Sequence, residues 1–184
     1  MRFFTTLLCF FSSLNAQQDS IVYSISSIKN PLEVKQIILK GQRFKIIPSI
    51  VYACSNLELL DLRRNKIAFI EDSIVLLQKL KVLNLERNKI KTISNQLPLL
   101  KALSVLKLGV NNISELPENI GALKSLKEFS IWDNHIYELP ESFYTLSCSK
   151  LDFRGMRINK IMREKLIKNF KNKELYLPSD CGCE

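Results

Sequence analysis

The residue best suited to proton transfer is His135, which is the only histidine among 184 residues. Asp133 lies two positions earlier, and we expect this pair to face solvent. Nucleophilic catalysis would also need a serine aimed at the imidazole and an oxyanion site, but the sequence has no G-x-S-x-G motif and no glycine-rich phosphate loop. We therefore predict no catalytic residues and no enzymatic activity.

The cysteines are the second group of residues that could carry reactive chemistry. Cys54 and Cys148 occupy places that leucine holds elsewhere in the periodic pattern described below, so both are predicted to be core residues that lie too far apart to form a disulfide. Cys181 and Cys183, in the tail SDCGCE, could form a local disulfide, cross-link two chains, hold a metal with outside ligands, or belong to a frayed tail without a role. With no second CxC or CxxC motif, we predict no metal site and no cofactor.

The composition is that of a globular protein, with 46% hydrophobic and 24% charged residues. The formal net charge is +9, yet basic and acidic residues are interspersed without a polybasic block. Charge alone therefore points only weakly to an anionic partner.

The first sixteen residues, MRFFTTLLCFFSSLNA, have one positive charge, an apolar run and a small residue at Ala16. This order predicts a secretory signal peptide over 1–16; a buried N-terminal helix is the alternative. No other segment has the length of a membrane span. We expect the mature protein to lie outside the cytoplasm, as a secreted, periplasmic or cell-surface protein.

An internal repeat dominates the rest of the chain. The frame L-x-x-L-x-L-x-x-N-x-L recurs with a step of 23 residues four times and then of 22, with its first positions at Val34, Leu57, Leu80, Leu103, Leu126 and Cys148. Within one copy, apolar residues two apart, such as Leu60 and Leu62, predict a short strand with one buried face. The asparagines at the turns are expected to satisfy backbone groups, and the spacing of the following apolar residues predicts a helical return arm.

This frame resembles the leucine-rich repeat family over about residues 34–158. Leu116-Pro117 and Leu139-Pro140 are similar to the 23-residue class of Ras-group scaffold repeats, and the signal sequence favours small exported bacterial members. Met156 in place of the asparagine departs from the pattern. The resemblance implies an α/β solenoid, or horseshoe, with a concave parallel β-sheet and helical or irregular convex arms. It also implies a protein-binding scaffold without catalysis.

A solenoid needs ends that cover its first and last apolar faces. We predict an N-terminal cap over 17–33, in which Ile21, Ile25 and Ile28 have helical spacing. At the other end Asn159 can cap a helix whose predicted buried residues are Ile161, Met162, Leu166, Ile167 and Phe170. A closing strand in KELYLP completes a C-terminal cap over 159–178, and residues 179–184 form a flexible tail.

The variable residues of the concave strands are predicted to carry the function. They include ten basic and six acidic residues, a mixture that suits a protein partner better than a phosphate backbone. Trp132 lies among small residues and arginines, which is the composition of an interface hot spot; alternatively, its ring only covers the sheet over Val110 and Arg154. The predicted partner-binding residues are Trp132, Arg63, Arg64, Arg87, Val110 and Arg154.

Several expectations about partners follow. We predict an unidentified protein ligand, no small-molecule substrate, no membrane span, no nucleic acid and a monomeric chain. Two alternatives remain: binding of an anionic glycan or nucleic acid through basic concave residues, and a structural surface protein that assembles through its exposed ends.

Overall fold

A parallel sheet of eight strands organises the molecule. The computed structural model describes residues 21–179. The strand order is β1-β2-β3-β5-β7-β8-β9-β10, and every neighbouring pair is parallel. The strands are β1 Ile21–Val22, β2 Gln36–Ile38, β3 Leu59–Asp61, β5 Val82–Asn84, β7 Val105–Lys107, β8 Glu128–Ser130, β9 Lys150–Asp152 and β10 Glu174–Tyr176.

The register of this sheet equals the length of the sequence repeat. Leu60 pairs with Leu83 and Leu83 pairs with Leu106, each 23 positions along the chain. Leu62 and Leu85 directly follow their strands and continue the ladder, because their amides donate to the carbonyls of the next repeat at 2.9 and 2.8 Å. The predicted α/β solenoid with a concave parallel sheet is thereby confirmed.

The return arms are short 3-10 helices, and the helical arms expected from the apolar spacing are reduced to one turn each. A 3-10 helix rises about 2.0 Å per residue and is stable only in short runs, which suits a coil that must return within 23 residues. Two arms also pair as strands β4 Phe69–Ile70 and β6 Thr92–Ile93. The 3-10 helices of the arms are Ser49–Ala53, Asp72–Leu76, Leu97–Leu99, Ile120–Ala122 and Glu141–Thr145.

The turn asparagines form a ladder, as predicted. The side-chain amide of Asn111 donates to the carbonyls of Leu85 and Leu108 at 3.1 and 2.9 Å, and its oxygen accepts the amide of Ile90 at 2.9 Å. Equivalent sets of three bonds surround Asn65, Asn88 and Asn134. Each asparagine therefore joins neighbouring repeats through backbone groups that water does not reach.

The N-terminal end is less helical than its spacing indicated. Ile21 begins strand β1, and two single-turn 3-10 helices, Ile25–Ser27 and Pro31–Glu33, follow it. The side chain of Asn30 caps the second of these by accepting the amide of Leu32 at 3.2 Å. The signal peptide predicted over 1–16 lies outside the described residues, as do Cys181 and Cys183.

At the C-terminal end, helix α1 runs over Lys160–Asn169 and strand β10 follows. Asn159 is the N-cap, as predicted, and accepts the amide of Met162 at 2.8 Å. Ile161 and Ile167 were wrongly assigned to the buried face, because they are 68% and 51% exposed. The residues that do face the core are Met162, Leu166 and Phe170.

The core is one continuous apolar stack. The leucines of the frame are fully buried, and Cys54 and Cys148 are buried free thiols among them, as predicted. Near the C-terminal end the Phe143 ring has its centroid 5.7 Å from that of Phe129 and 5.8 Å from that of Phe153. Within residues 21–179, no helix is long and apolar enough to cross a membrane.

Candidate binding surface

The concave face presents one row of residues that the repeat brings side by side. The seventh position of successive copies is occupied by Arg63, Glu86, Gly109, Trp132 and, after the 22-residue step, Arg154. Each of these positions lies two residues after the end of its strand, and the parallel register places consecutive members on adjacent repeats. Side chains in this row can therefore contact each other across the sheet.

The indole of Trp132 lies over Gly109. A β-carbon built on Gly109 would come within 2.1 Å of the indole nitrogen, so only glycine leaves room for the ring. The indole N–H donates to the Glu86 carboxylate at 3.2 Å, and the guanidinium of Arg87 lies 5.8 Å from the ring centroid. A hydrogen bond, a cation–π contact and the missing side chain together hold the ring in one orientation.

The packing of Trp132 differs from the sequence alternative in which its ring only covers the sheet over Val110 and Arg154. The ring covers sheet backbone, but it covers Gly109 and extends towards Glu86, away from the stem of Arg154. It nevertheless remains only partly buried. Trp132 is thus both packed and available, which is how a rigid aromatic anchor presents its surface.

Two of the predicted arginines are engaged by neighbouring aspartates. The Arg63 guanidinium lies 2.7 Å from the Asp61 carboxylate, and Arg154 lies 2.7 Å from Asp152. The hydrogen bonds that Arg63 donates to Asp61 raise the pKa of Arg63, and those that Arg154 donates to Asp152 raise the pKa of Arg154. The D-x-R spacing, which places both side chains on one face of a strand, was a signal that could have shown these pairs.

Arg64, Arg87 and Val110 occupy the turn after the strand. Their φ angles are 58°, 57° and 56°, in the left-handed region. The turn carries Arg64 and Arg87 to the rim, where both are exposed. The structure therefore brings Arg87 to Trp132, while Arg64 lies on the rim. Val110 is unusual, because a β-branched residue is strained at positive φ.

A depression of about 420 Å³ opens beside Trp132 on the concave face. Tyr176, on the closing strand β10, lines its other side, and its ring lies 5.3 Å from the Arg154 guanidinium. Tyr176 was missed by the sequence reasoning, although extending the repeat frame into KELYLP would have placed it next to Asp152. The polar residues around the depression are Glu86, Lys107, Glu128, Ser130, Lys150, Asp152 and Arg154.

The charges around this depression are largely balanced. Glu128 lies 3.1 Å from the ammonium of Lys107 and 3.9 Å from that of Lys150. Arg154 is also paired with Asp152, so the depression contains both positive and negative groups rather than a uniform positive field. Such a surface can recognise mixed polar groups next to its two aromatic rings.

His135 contributes to a different depression, of about 320 Å³, on the rim. Asp133, Tyr137 and Arg157 also line it, but no serine or cysteine does. Among residues 21–179 no group of three or more His, Cys, Asp or Glu side chains could hold a metal ion.

The comparisons with known proteins agree with this geometry. A leucine-rich repeat family model matches residues 55–113. The solved structure of a leucine-rich repeat protein of Leptospira interrogans is 23% identical, with a TM-score of 0.71 over 84% of this chain and 45% of that one. The chain therefore has the leucine-rich repeat fold.

Other leucine-rich repeat structures share the same fold. An internalin of Listeria monocytogenes is 20% identical, with a TM-score of 0.71 over 88% of this chain and 47% of that chain. A plant peptide hormone receptor, solved in complex with RGF2, is 24% identical, with a TM-score of 0.64 over 79% of this chain and 24% of that chain. The present chain therefore spans less than half the length of the first two proteins and about a quarter of the third. No curated protein matches it.

Proposed function

We propose that this protein is a non-catalytic scaffold that binds a protein partner in the concave depression between Trp132 and Tyr176. The observation that carries the proposal is the orientation of Trp132, whose ring is fixed over Gly109 while part of its surface stays open. A rigid aromatic ring loses little entropy on binding, and tryptophan and arginine are the residues most enriched at interface hot spots.

The charge pattern favours a protein over a polyanion in this depression. Arg154 lies against Asp152, and Lys107 and Lys150 share Glu128. A phosphate or sulfate chain would instead gain most from unpaired cations along its path. The alternative of an anionic glycan or nucleic acid bound through concave basic residues therefore has less support.

One comparison adds support at the level of the fold. The plant receptor with this fold was solved in complex with RGF2. The present protein is under 25% identical to it and spans a smaller length, so its partner and its mode of binding are our proposal. We also propose that the protein is exported, because its first sixteen residues have the order of a signal peptide.

The test is affinity capture from the native source with three immobilised proteins: the unaltered chain, Trp132→Ala and Tyr137→Ala. Tyr137 is a matched control, because it is 62% exposed and lies on the rim rather than in the concave depression. We expect one partner to be retained by the unaltered chain and by Tyr137→Ala and to be lost with Trp132→Ala. Equal capture by all three proteins would contradict the proposal.

A further inference from the structure

One rim of the solenoid carries an unbalanced cluster of cations. They occupy the eighth, tenth and twelfth positions of the first three repeats, where the chain leaves the strand and turns. We call this set the basic edge; its members are Arg43, Lys45, Arg64, Lys66, Arg87, Lys89 and Lys91. All seven residues are exposed.

Backbone hydrogen bonds hold the basic edge together. The amide of Lys66 donates to Phe44 O at 2.8 Å, that of Lys89 to Ile67 O at 2.9 Å, and that of Lys91 to Ala68 O at 2.9 Å. This second ladder runs beside the asparagines, with about 4.8 Å between successive repeats. The seven cations therefore lie on one fixed face and not on separate mobile loops.

In the part of the chain that the structure describes, the cations of the concave depression are paired with acidic side chains, but those of the basic edge are not. None of its seven members forms a salt bridge within residues 21–179, although Arg87 contacts the Trp132 ring. The charge is also local. The same three positions of the next two repeats contain no lysine or arginine; they are Val110, Asn112, Ser114, Asp133, His135 and Tyr137.

Two exposed apolar residues directly follow the twelfth position of the repeat, beside the basic edge. Ile46 is 51% exposed and Phe69 is 41% exposed, and they occupy the same position in consecutive repeats. Their turns are joined by the hydrogen bond from the Ala68 amide to Lys45 O, at 3.2 Å. Exposed apolar groups beside a cationic edge contribute little to binding of a DNA duplex or a sulfated glycan, whose outer surfaces are charged and hydrated, but they can enter the headgroup region of a bilayer.

We propose that the basic edge binds the surface of a membrane rich in anionic lipids. The cations are attracted to the lipid headgroups, and Ile46 and Phe69 insert between them. Because the edge lies at the side of the solenoid, the concave depression stays open for its own partner. This inference does not depend on the proposed function.

The experiment is vesicle co-sedimentation of the full chain. The probes are vesicles of phosphatidylcholine alone and vesicles of equal parts phosphatidylcholine and phosphatidylserine. We expect binding only to the second kind, and weaker binding as salt is added. The edge variant carries Lys45→Glu, Lys66→Glu, Lys89→Glu and Lys91→Glu, and we expect its affinity to fall on the order of 100-fold.

The control variant carries Lys101→Glu, Lys124→Glu, Lys127→Glu and Lys168→Glu, four exposed lysines away from the basic edge. It has the same net charge as the edge variant, and we expect it to bind far more tightly. Phe69→Ser should lower affinity roughly tenfold and leave the salt dependence unchanged. Circular dichroism confirms that each variant is folded.

Three results would overturn the proposal. One is equal binding to the two kinds of vesicle. Another is an equal loss in the edge and control variants, which would reflect net charge alone. The third is binding of duplex DNA or heparin without binding to phosphatidylserine vesicles, which would identify a soluble polyanion as the ligand.

Discussion

Trp132 packs its indole directly on the backbone of Gly109, the residue one repeat earlier at the same position of the frame. The indole N–H thereby donates a hydrogen bond to Glu86, 46 residues away in sequence, and the guanidinium of Arg87 contacts the ring. This relationship fixes the shape of the concave surface. Gly109 has no role in a turn, but the proposed binding site requires it, because a side chain at this position would overlap the ring.

Gly109→Ala is expected to displace Trp132 and destabilise the protein by about 1–3 kcal/mol, because the new methyl group would overlap the ring. The free energy of unfolding in urea measures this change. In a Trp132→Ala background the same substitution has space, so it should be nearly neutral there. Additive effects of the two substitutions would contradict the packing.

Asn111→Ala removes three hydrogen bonds to buried backbone groups. We expect a loss of about 1–3 kcal/mol, since the Ile90 amide is left without an acceptor, while the carbonyls of Leu85 and Leu108 keep their bonds from Asn88 and Asn134. Asn112→Ala is the matched control, because Asn112 is the exposed neighbour, and it should change stability by less than about 0.5 kcal/mol. Similar values for both variants would show that the asparagine ladder contributes little.

Val110→Asn should stabilise the fold by about 0.5–1 kcal/mol. Val110 has a φ of 56°, and asparagine tolerates the left-handed region better than a β-branched residue does. Arg87→Asn, at the equivalent turn one repeat earlier, should stabilise the fold by less, because arginine is not β-branched. Thermal unfolding of the two variants tests the expectation, and a lower melting temperature for Val110→Asn would count against strain at this turn.

The buried thiol of Cys148 should make the protein less stable at alkaline pH. Burial raises the pKa of its thiol to about 12, whereas the unfolded chain has a thiol pKa of about 8.5. Unfolding therefore releases a proton between these values, so the contribution of Cys148 is intact below about pH 8.5 and falls as the pH rises towards 12.

Relative to Cys148→Val, the unaltered protein should lose about 2 kcal/mol more between pH 7 and about pH 10. Cys54 is present in both proteins, so its own titration cancels. Urea unfolding at the two pH values provides the measurement. Parallel losses in the two proteins would mean that Cys148 ionises as freely in the folded state as in the unfolded chain.

The sheet could be predicted from sequence because its register is the repeat itself. A step of 23 residues aligns Leu60, Leu83 and Leu106, and a parallel ladder permits no other pairing that buries all three. The return arms were predicted less well. Apolar steps of three and four fit an α-helix and a 3-10 turn almost equally over so few residues.

The binding surface could be predicted only in part. The frame placed Trp132 beside Gly109, but the direction of the ring depends on Glu86 and Arg87 two repeats earlier. Side-chain orientation is decided by such distant contacts, which a local pattern does not contain. Tyr176 was missed because the closing strand carries no asparagine and so was not read in the frame of the repeats.

The central claim is that the open surface of Trp132 meets the protein partner. Because the chain has a single tryptophan, replacing it with 5-fluorotryptophan gives one fluorine NMR signal from this site. The signal is recorded while the captured partner is added. We expect the fluorine signal to shift or broaden in proportion to the complex formed. An unchanged signal at saturation would contradict the proposed contact between Trp132 and the partner.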